Sequence, residues 1–206
     1  MRLLALSIAT FALAAVVGSV QAQDAPKPDR AATIQYINNV IAKTHGAVIT
    51  VTPVIKLAIA QHSLHYDAGT KSYRIFLQET GQQLFPGEGI AYADVRLDRS
   101  GWSLRNLESV EELSTMVISG QQQWPSTELR RIKLTFRAES VRELNTARTW
   151  GTKLGTPDST KTYFNGTRNF VSLFYRAGNP DDATRLRNAL LRLKELDGEE
   201  KDPFLN

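Results

Sequence analysis

The carboxy-terminal part of the chain carries the pattern that most restricts its fold, a helix with one apolar stripe. Leu186, Leu190 and Leu193 are spaced by four and three residues, and we expect this helix to open at Asn179-Pro180 and to end at Gly198. The opposite face is charged: Arg185, Arg192, Lys194 and Glu195. A helix with a single stripe must bury it against another element. The rest of the chain therefore has to supply an apolar surface.

Strand patterns in the middle of the chain predict that surface. Strands are predicted at 47–60 with a bend at Pro53, and at 63–67, 72–79, 89–97, 102–107, 128–138, 162–164 and 168–176. On the third of these, Tyr73, Ile75 and Leu77 are predicted to face inward. Turn residues predict hairpins at 68–71, at 98–101 and at Asn165-Gly166. An amphipathic helix is predicted at 31–44, capped by Asp29 and stopped by Gly46.

The connecting segments give weaker patterns. Loops are predicted at 82–87 and 121–125, and two glycines and a proline predict a flexible loop at 151–159. Ser140 to Glu143 matches a capping box and predicts a short helix. Residues 109–120 are ambiguous, because 109–112 also match a capping box whereas 115–118 suit a strand.

These elements together predict an α+β fold. We expect an antiparallel β-sandwich or half-open barrel, capped by the carboxy-terminal helix and carrying an additional amino-terminal helix. Residues 31–204 are expected to form one domain, because the chain is long enough for a single compact core.

The first 22 residues are typical of an export signal. Arg2 precedes an apolar stretch at 3–17, and Val20-Gln21-Ala22 provides small residues at a cleavage site. We expect cleavage after Ala22, a mobile lead-in at 23–30, and a mature protein in a bacterial periplasm or outside the cell. No transmembrane segment is expected after signal removal.

Composition excludes several classes of chemistry. The 206 residues include no cysteine, so a disulfide framework, a thiol nucleophile and a cysteine zinc site are excluded. The net charge is only +4, and no run of five basic residues occurs, so we expect no nucleic-acid partner. The partner is expected to be a protein or a small ligand.

The end of the chain resembles that of small bacterial exported proteins with a pleckstrin-homology-like domain. The resemblance covers 167–204 and is carried by the strand 170–175, the helical segment 182–193, Gly198 and Asp202-Pro203-Phe204. It implies a curved sandwich or half-open barrel with one end plugged by the helix, but no particular activity. The chain has Arg192 and Asp197 where members often carry His and Cys. Phosphoinositide binding is not implied, because the 68–71 hairpin offers only Lys71 and Arg74.

No catalytic motif was found, so neither a catalytic residue nor a cofactor or metal is assigned. Glycine-rich nucleotide loops and serine-hydrolase motifs are absent from the sequence. We therefore favour a non-catalytic binding or interaction module over an enzyme. One alternative is a small hydrolase or metal-dependent enzyme using His62, His65 and Asp67; another is a barrel that holds an apolar ligand. Trp124 and Trp150, each beside a loop signal, are the candidate partner-binding residues.

Overall fold

A computed structural model describes residues 27–51, 55–85, 89–119, 122–151, 159–178 and 180–199. In chain order its elements are α1 (Arg30–Ala42), β1 (Val48–Val51), β2 (Ile55–Asp67), β3 (Ser72–Phe85), β4 (Gly89–Trp102), a single 3₁₀ turn (Leu104–Asn106), β5 (Leu107–Ser119), β6 (Gln122–Phe136), β7 (Val141–Gly151), β8 (Ser159–Arg168), β9 (Phe170–Arg176) and α2 (Pro180–Glu199). The predicted signal peptide, residues 23–26 of the predicted lead-in, Pro53, Asn179 and residues 152–158 and 200–206 lie outside the described residues.

Helix α1 confirms the first helix prediction. The Asp29 carboxylate accepts a hydrogen bond from the Ala32 N–H at 2.8 Å, which caps the helix. Gly46 follows the helix in the left-handed region at φ +79°, and its N–H donates to the Ile59 carbonyl at 2.8 Å. The chain thereby turns from α1 into β1, as glycine at this position permits.

The nine described strands form one sheet in the order β8-β7-β4-β3-β2-β1-β5-β6-β9. All neighbours are antiparallel except β1 and β5, which pair in parallel at Thr50–Ile118 and Val51–Ser119. The two end strands, β8 and β9, are consecutive in the chain and separated only by Asn169. The sheet must therefore curl until its two ends meet, which is consistent with a half-open sandwich. The architecture is α+β, as predicted.

The main core lies between the two helices and the curled sheet. Leu186, Leu190 and Leu193 of α2 are fully buried, each contributing about 2 kcal/mol of hydrophobic stabilisation. Their cluster includes Ile37 and Ile41 of α1 and these strand or turn residues: Leu64, Tyr73, Ile75, Trp102, Leu104, Ile132, Leu134, Phe136, Val171, Leu173 and Tyr175. The predicted inward face of β3 and the predicted stripe of α2 are both confirmed.

Two of the three hairpin predictions were wrong. Asn165 and Gly166 lie inside β8, opposite Leu144 and Glu143 of β7, and the chain bends at Asn169 instead. The strands on either side do not pair with each other, because β8 pairs with β7 and β9 pairs with β6. Residues 98–101 lie within β4, where Gly101 at φ +76° is an extra residue between two pairs of the β3–β4 ladder. Only the hairpin at 68–71 is confirmed, with β2 and β3 extending beyond the predicted strands.

Several connections proved to be strand. The predicted loops at 82–87 and 121–125 overlap the ends of β3 and β6, and the ambiguous segment 109–120 forms most of β5. The predicted helix at 140–143 is the start of β7, because its alternating Val141 and Glu143 face the interior. The helix α2 continues through Gly198 to Glu199, so Gly198 is not the stop.

Candidate binding site

The predicted partner-binding tryptophans lie on two strands, β6 and β7, that are not neighbours in the sheet. Trp124 belongs to β6, and its side chain lies outside the described residues. Trp150 of β7 is half-buried and stacks on Tyr92 of β4, with ring centroids 5.9 Å apart. The Arg148 guanidinium lies 5.6 Å from the centroid of the Trp150 ring. A partner surface at these tryptophans stays a prediction.

His62, His65 and Asp67 do not converge on one cleft. His62 is buried beside Phe174, whereas His65 is exposed and its Nε2 lies 3.0 Å from the Ser63 hydroxyl. The Asp67 carboxylate accepts a hydrogen bond from the Gly69 N–H in the hairpin turn. Within the described ranges, no group of three metal-ligating side chains is found. The geometry therefore gives no support to the metal or hydrolase alternative.

One buried acid on α2 has a complete set of partners. The Asp197 Oδ1 accepts hydrogen bonds from Arg30 Nη1 and from the Tyr73 hydroxyl, each at 2.8 Å. Its Oδ2 accepts from the Leu104 N–H at 3.0 Å and from the Ser103 hydroxyl at 3.1 Å. Burial and the Asp197 carboxylate raise the pKa of Tyr73 well above its usual range. We call these side chains the Asp197 network; it joins α1, β3, the 3₁₀ turn and α2.

A second polar group lies in the interior on the other side of β9. It consists of four cations and one carboxylate from four strands, which we call the cation cluster: Arg99 of β4, Arg131 and Lys133 of β6, Glu143 of β7 and Arg168 of β8. Lys133 and Arg131 alternate with the core residues Ile132 and Leu134, so they point away from the helices. None of these five residues was among the site residues predicted from the sequence.

Two cations of the cluster approach the aromatic ring of Phe170. The Arg99 Cζ lies 4.9 Å and the Lys133 Nζ 5.4 Å from the centroid of its ring, so cations from β4 and β6 approach the same aromatic side chain. Arg99 Nε donates to Glu143 Oε2 at 2.7 Å, and both residues are buried. Arg168 Nε lies 3.7 Å from Glu143 Oε1.

Several polar atoms of this region have no hydrogen-bond partner among the described residues. They are the buried Nε atoms of Arg131 and Arg168, the Thr135 hydroxyl and the Asn145 Oδ1. Thr135 is paired with Phe170 in the β6–β9 ladder, and Asn145 lies two residues beyond Glu143 on β7. Leaving such a group unsatisfied costs about 1–3 kcal/mol, and native interiors rarely do so without a reason.

The cluster also carries uncompensated charge. Four cations and one carboxylate leave a net charge of +3 on its five side chains, while the exposed Glu111, opposite Lys133 in the β5–β6 ladder, adds a further carboxylate at the edge of this face. Burial lowers the pKa of Arg99, as do the nearby charges of Arg168 and Arg131, while Glu143 opposes this shift. A bound anion would compensate this charge and accept hydrogen bonds from the unpaired donors. Glu143 is already engaged by Arg99, so the cluster has no free carboxylate to act as a base.

The sequence pattern of β6 contains a signal for this site that was ambiguous by itself. Arg131, Lys133 and Thr135 alternate with apolar residues, which is equally typical of a strand with one solvent face. The tertiary fold distinguishes the two cases. Strand β6 lies between β5 and β9, and its polar face is directed towards the interior side of β4 and β7 instead of towards solvent.

The search of protein-family models, of curated proteins and of solved structures found no match to this chain. In the described part of the chain, neither helix combines the length and apolar character required to cross a bilayer.

Proposed function

We propose that this chain is an exported, non-catalytic binding module with a pleckstrin-homology-like sandwich, and that it binds a small anion at the cation cluster. The unpaired, buried Nε of Arg131 beside a net charge of +3 is the observation that carries this proposal. Apolar side chains at these positions would make the fold more stable, because unpaired charge in the interior is destabilising.

Three further features support the module. The order of elements, a curled strand-rich sheet closed by an amphipathic last helix, agrees with the fold that the carboxy-terminal resemblance implies. Arg168, beside the bend between β8 and β9, has 41% of its side chain accessible, so we expect a ligand to approach the cluster from this bend. The signal-peptide pattern at 1–22 supports export.

A titration of the purified mature protein with sodium acetate and sodium sulfate tests the proposal. Titrations are done at low ionic strength in a chloride buffer and followed by calorimetry and by amide NMR shifts around Phe170. We expect saturable binding of at least one of the two anions. The expected affinity is weak to moderate, because a single anionic group makes few contacts.

The variant R131Q should abolish this binding, whereas R130Q is the matched control. Arg130 is the preceding residue of β6, and its Nη1 donates to the Ser114 hydroxyl at 2.9 Å instead of facing the cluster. Equal binding by R131Q and R130Q, or no saturable binding by the parent protein, would contradict the proposal. So would catalytic turnover that a point change in Glu143 or His62 abolishes.

A further inference from the structure

The charge of the cluster also indicates what kind of anion it binds. Resting on the proposed function, we infer that the ligand presents a doubly charged tetrahedral oxyanion, a sulfate or phosphate group, to Arg131, Lys133 and Arg168. A carboxylate carries one negative charge and would leave a net charge of +2 on the cluster. A dianion leaves +1, so it removes more of the repulsion among the cations.

The hydrogen-bonding groups agree with an oxyanion that has several oxygens. The cluster region offers buried donors from two strands that have no hydrogen-bond partner among the described residues: Arg131 Nε and the Thr135 hydroxyl on β6, and Arg168 Nε at the end of β8. A tetrahedral group directs its oxygens along separate axes, whereas the two oxygens of a carboxylate share one plane. Guanidinium groups are well suited to bind such oxyanions, because their N–H groups form charge-assisted hydrogen bonds.

Two residues are inferred to hold the site in place without contacting the anion. Glu143 fixes Arg99 by the 2.7 Å hydrogen bond, and Arg99 in turn lies over Phe170. The Lys133 ammonium lies over the same ring. Arg99 and Glu143 are therefore positioning residues, and Arg131, Lys133 and Arg168 provide the contacts.

An anion series tests the charge class. Acetate, sulfate, inorganic phosphate and glycerol 3-phosphate are titrated by calorimetry into the mature protein at constant ionic strength, at pH 5 and pH 8. We expect sulfate to bind about tenfold more tightly than acetate or better. Glycerol 3-phosphate should bind up to about tenfold more tightly at pH 8 than at pH 5, because its second proton dissociates near pH 6 and only about a tenth of it is a dianion at pH 5.

Sulfate is the internal control for titration of the protein itself. Its charge is constant over this range, so a change in its affinity reports an effect of protein groups such as Glu79, whose pKa burial raises to about 7. The phosphate compounds should show an additional gain that sulfate lacks. Binding of inorganic ions alone would identify a free ion as ligand, and binding of glycerol 3-phosphate as well would identify an esterified group.

The variant K133Q completes the test. Removing one cation should weaken sulfate binding more than acetate binding, whereas K161Q, which changes an exposed lysine of β8, should leave both unchanged. Acetate binding as tight as sulfate binding, with both lost in R131Q, would overturn the dianion inference and leave the proposed function standing. Absence of any R131-dependent binding would overturn both.

Discussion

The Asp197 network and the cation cluster are both polar groups in the interior of one small protein, yet they are built in opposite ways. Asp197 is a single buried acid whose two oxygens accept four hydrogen bonds from four residues. The cation cluster holds four positive charges against one carboxylate and leaves buried donor atoms unpaired. A satisfied network stabilises a fold, whereas an unsatisfied one costs free energy until a partner completes its hydrogen bonds.

The largest effect is expected from Asp197. The variant D197A should lower the free energy of unfolding by about 3–5 kcal/mol, because it leaves the Arg30 guanidinium and the Tyr73 hydroxyl buried without their acceptor. Urea denaturation followed by circular dichroism measures this. The exposed pair of Arg74 and Asp98 is the control: D98A should cost less than about 1 kcal/mol. Similar losses for the two variants would show that the network is not the anchor of α2.

A smaller, pH-dependent effect is expected from His62. Burial lowers its pKa from 6.5 to about 3, and both ring nitrogens lack a partner in the described structure. Because the folded pKa is depressed, the neutral side chain favours folding above pH 6.5, and this contribution is lost as the pH falls towards 3. Between pH 7.5 and pH 4.5 the loss is about 2.5 kcal/mol.

The variant H62L should remove this dependence. The free energy of unfolding of H62L minus that of the parent protein is measured by urea denaturation at pH 7.5 and at pH 4.5. We expect this difference to be about 2.5 kcal/mol more favourable to H62L at pH 4.5 than at pH 7.5. Glu79 contributes to the pH dependence of stability with the opposite sign, because its raised pKa makes the folded state bind more protons. This contribution is the same in both proteins and cancels in the difference. H65L, at an exposed position, should show no such change.

The smallest change in stability is expected at Arg131, where the comparison is most directly tested. R131M should alter the free energy of unfolding in the absence of anions by less than about 1 kcal/mol, or should raise it, because an apolar side chain removes an unpaired buried donor. Anion binding should be lost in the same variant. A loss of stability comparable to that of D197A would make Arg131 a structural residue and remove the contrast with Asp197.

The sequence was most informative where its pattern was both local and long. Helix α2 was predicted from three leucines, and α1 from its cap and apolar stripe, because helix periodicity is visible within the element itself. Strand limits were less accurate. Asn165-Gly166 has the composition of a hairpin turn, but the partners of its flanking strands are β7 and β6, which no local pattern specifies.

The candidate site could not be predicted for the same reason. Its residues come from 99, 131, 133, 143 and 168, and they become neighbours only when the sheet curls. The alternation of Arg131 and Lys133 with apolar residues was visible, but alternation does not tell whether the polar side meets water or an opposing strand. The sequence showed Asp197 as a departure from the resembled family, but it did not predict the four residues that donate hydrogen bonds to its carboxylate.

The position of α1 has a consequence for how the protein is made. Helix α1 packs against β2, which follows it closely in the chain, and also against β9 and α2, the last two of the described elements. Such long-range contacts slow folding, since they close large loops before they give stability. The contacts of α1 with β9 and α2 therefore form only after both of these elements have been synthesised, and until then part of the main core remains open to proteases and aggregation.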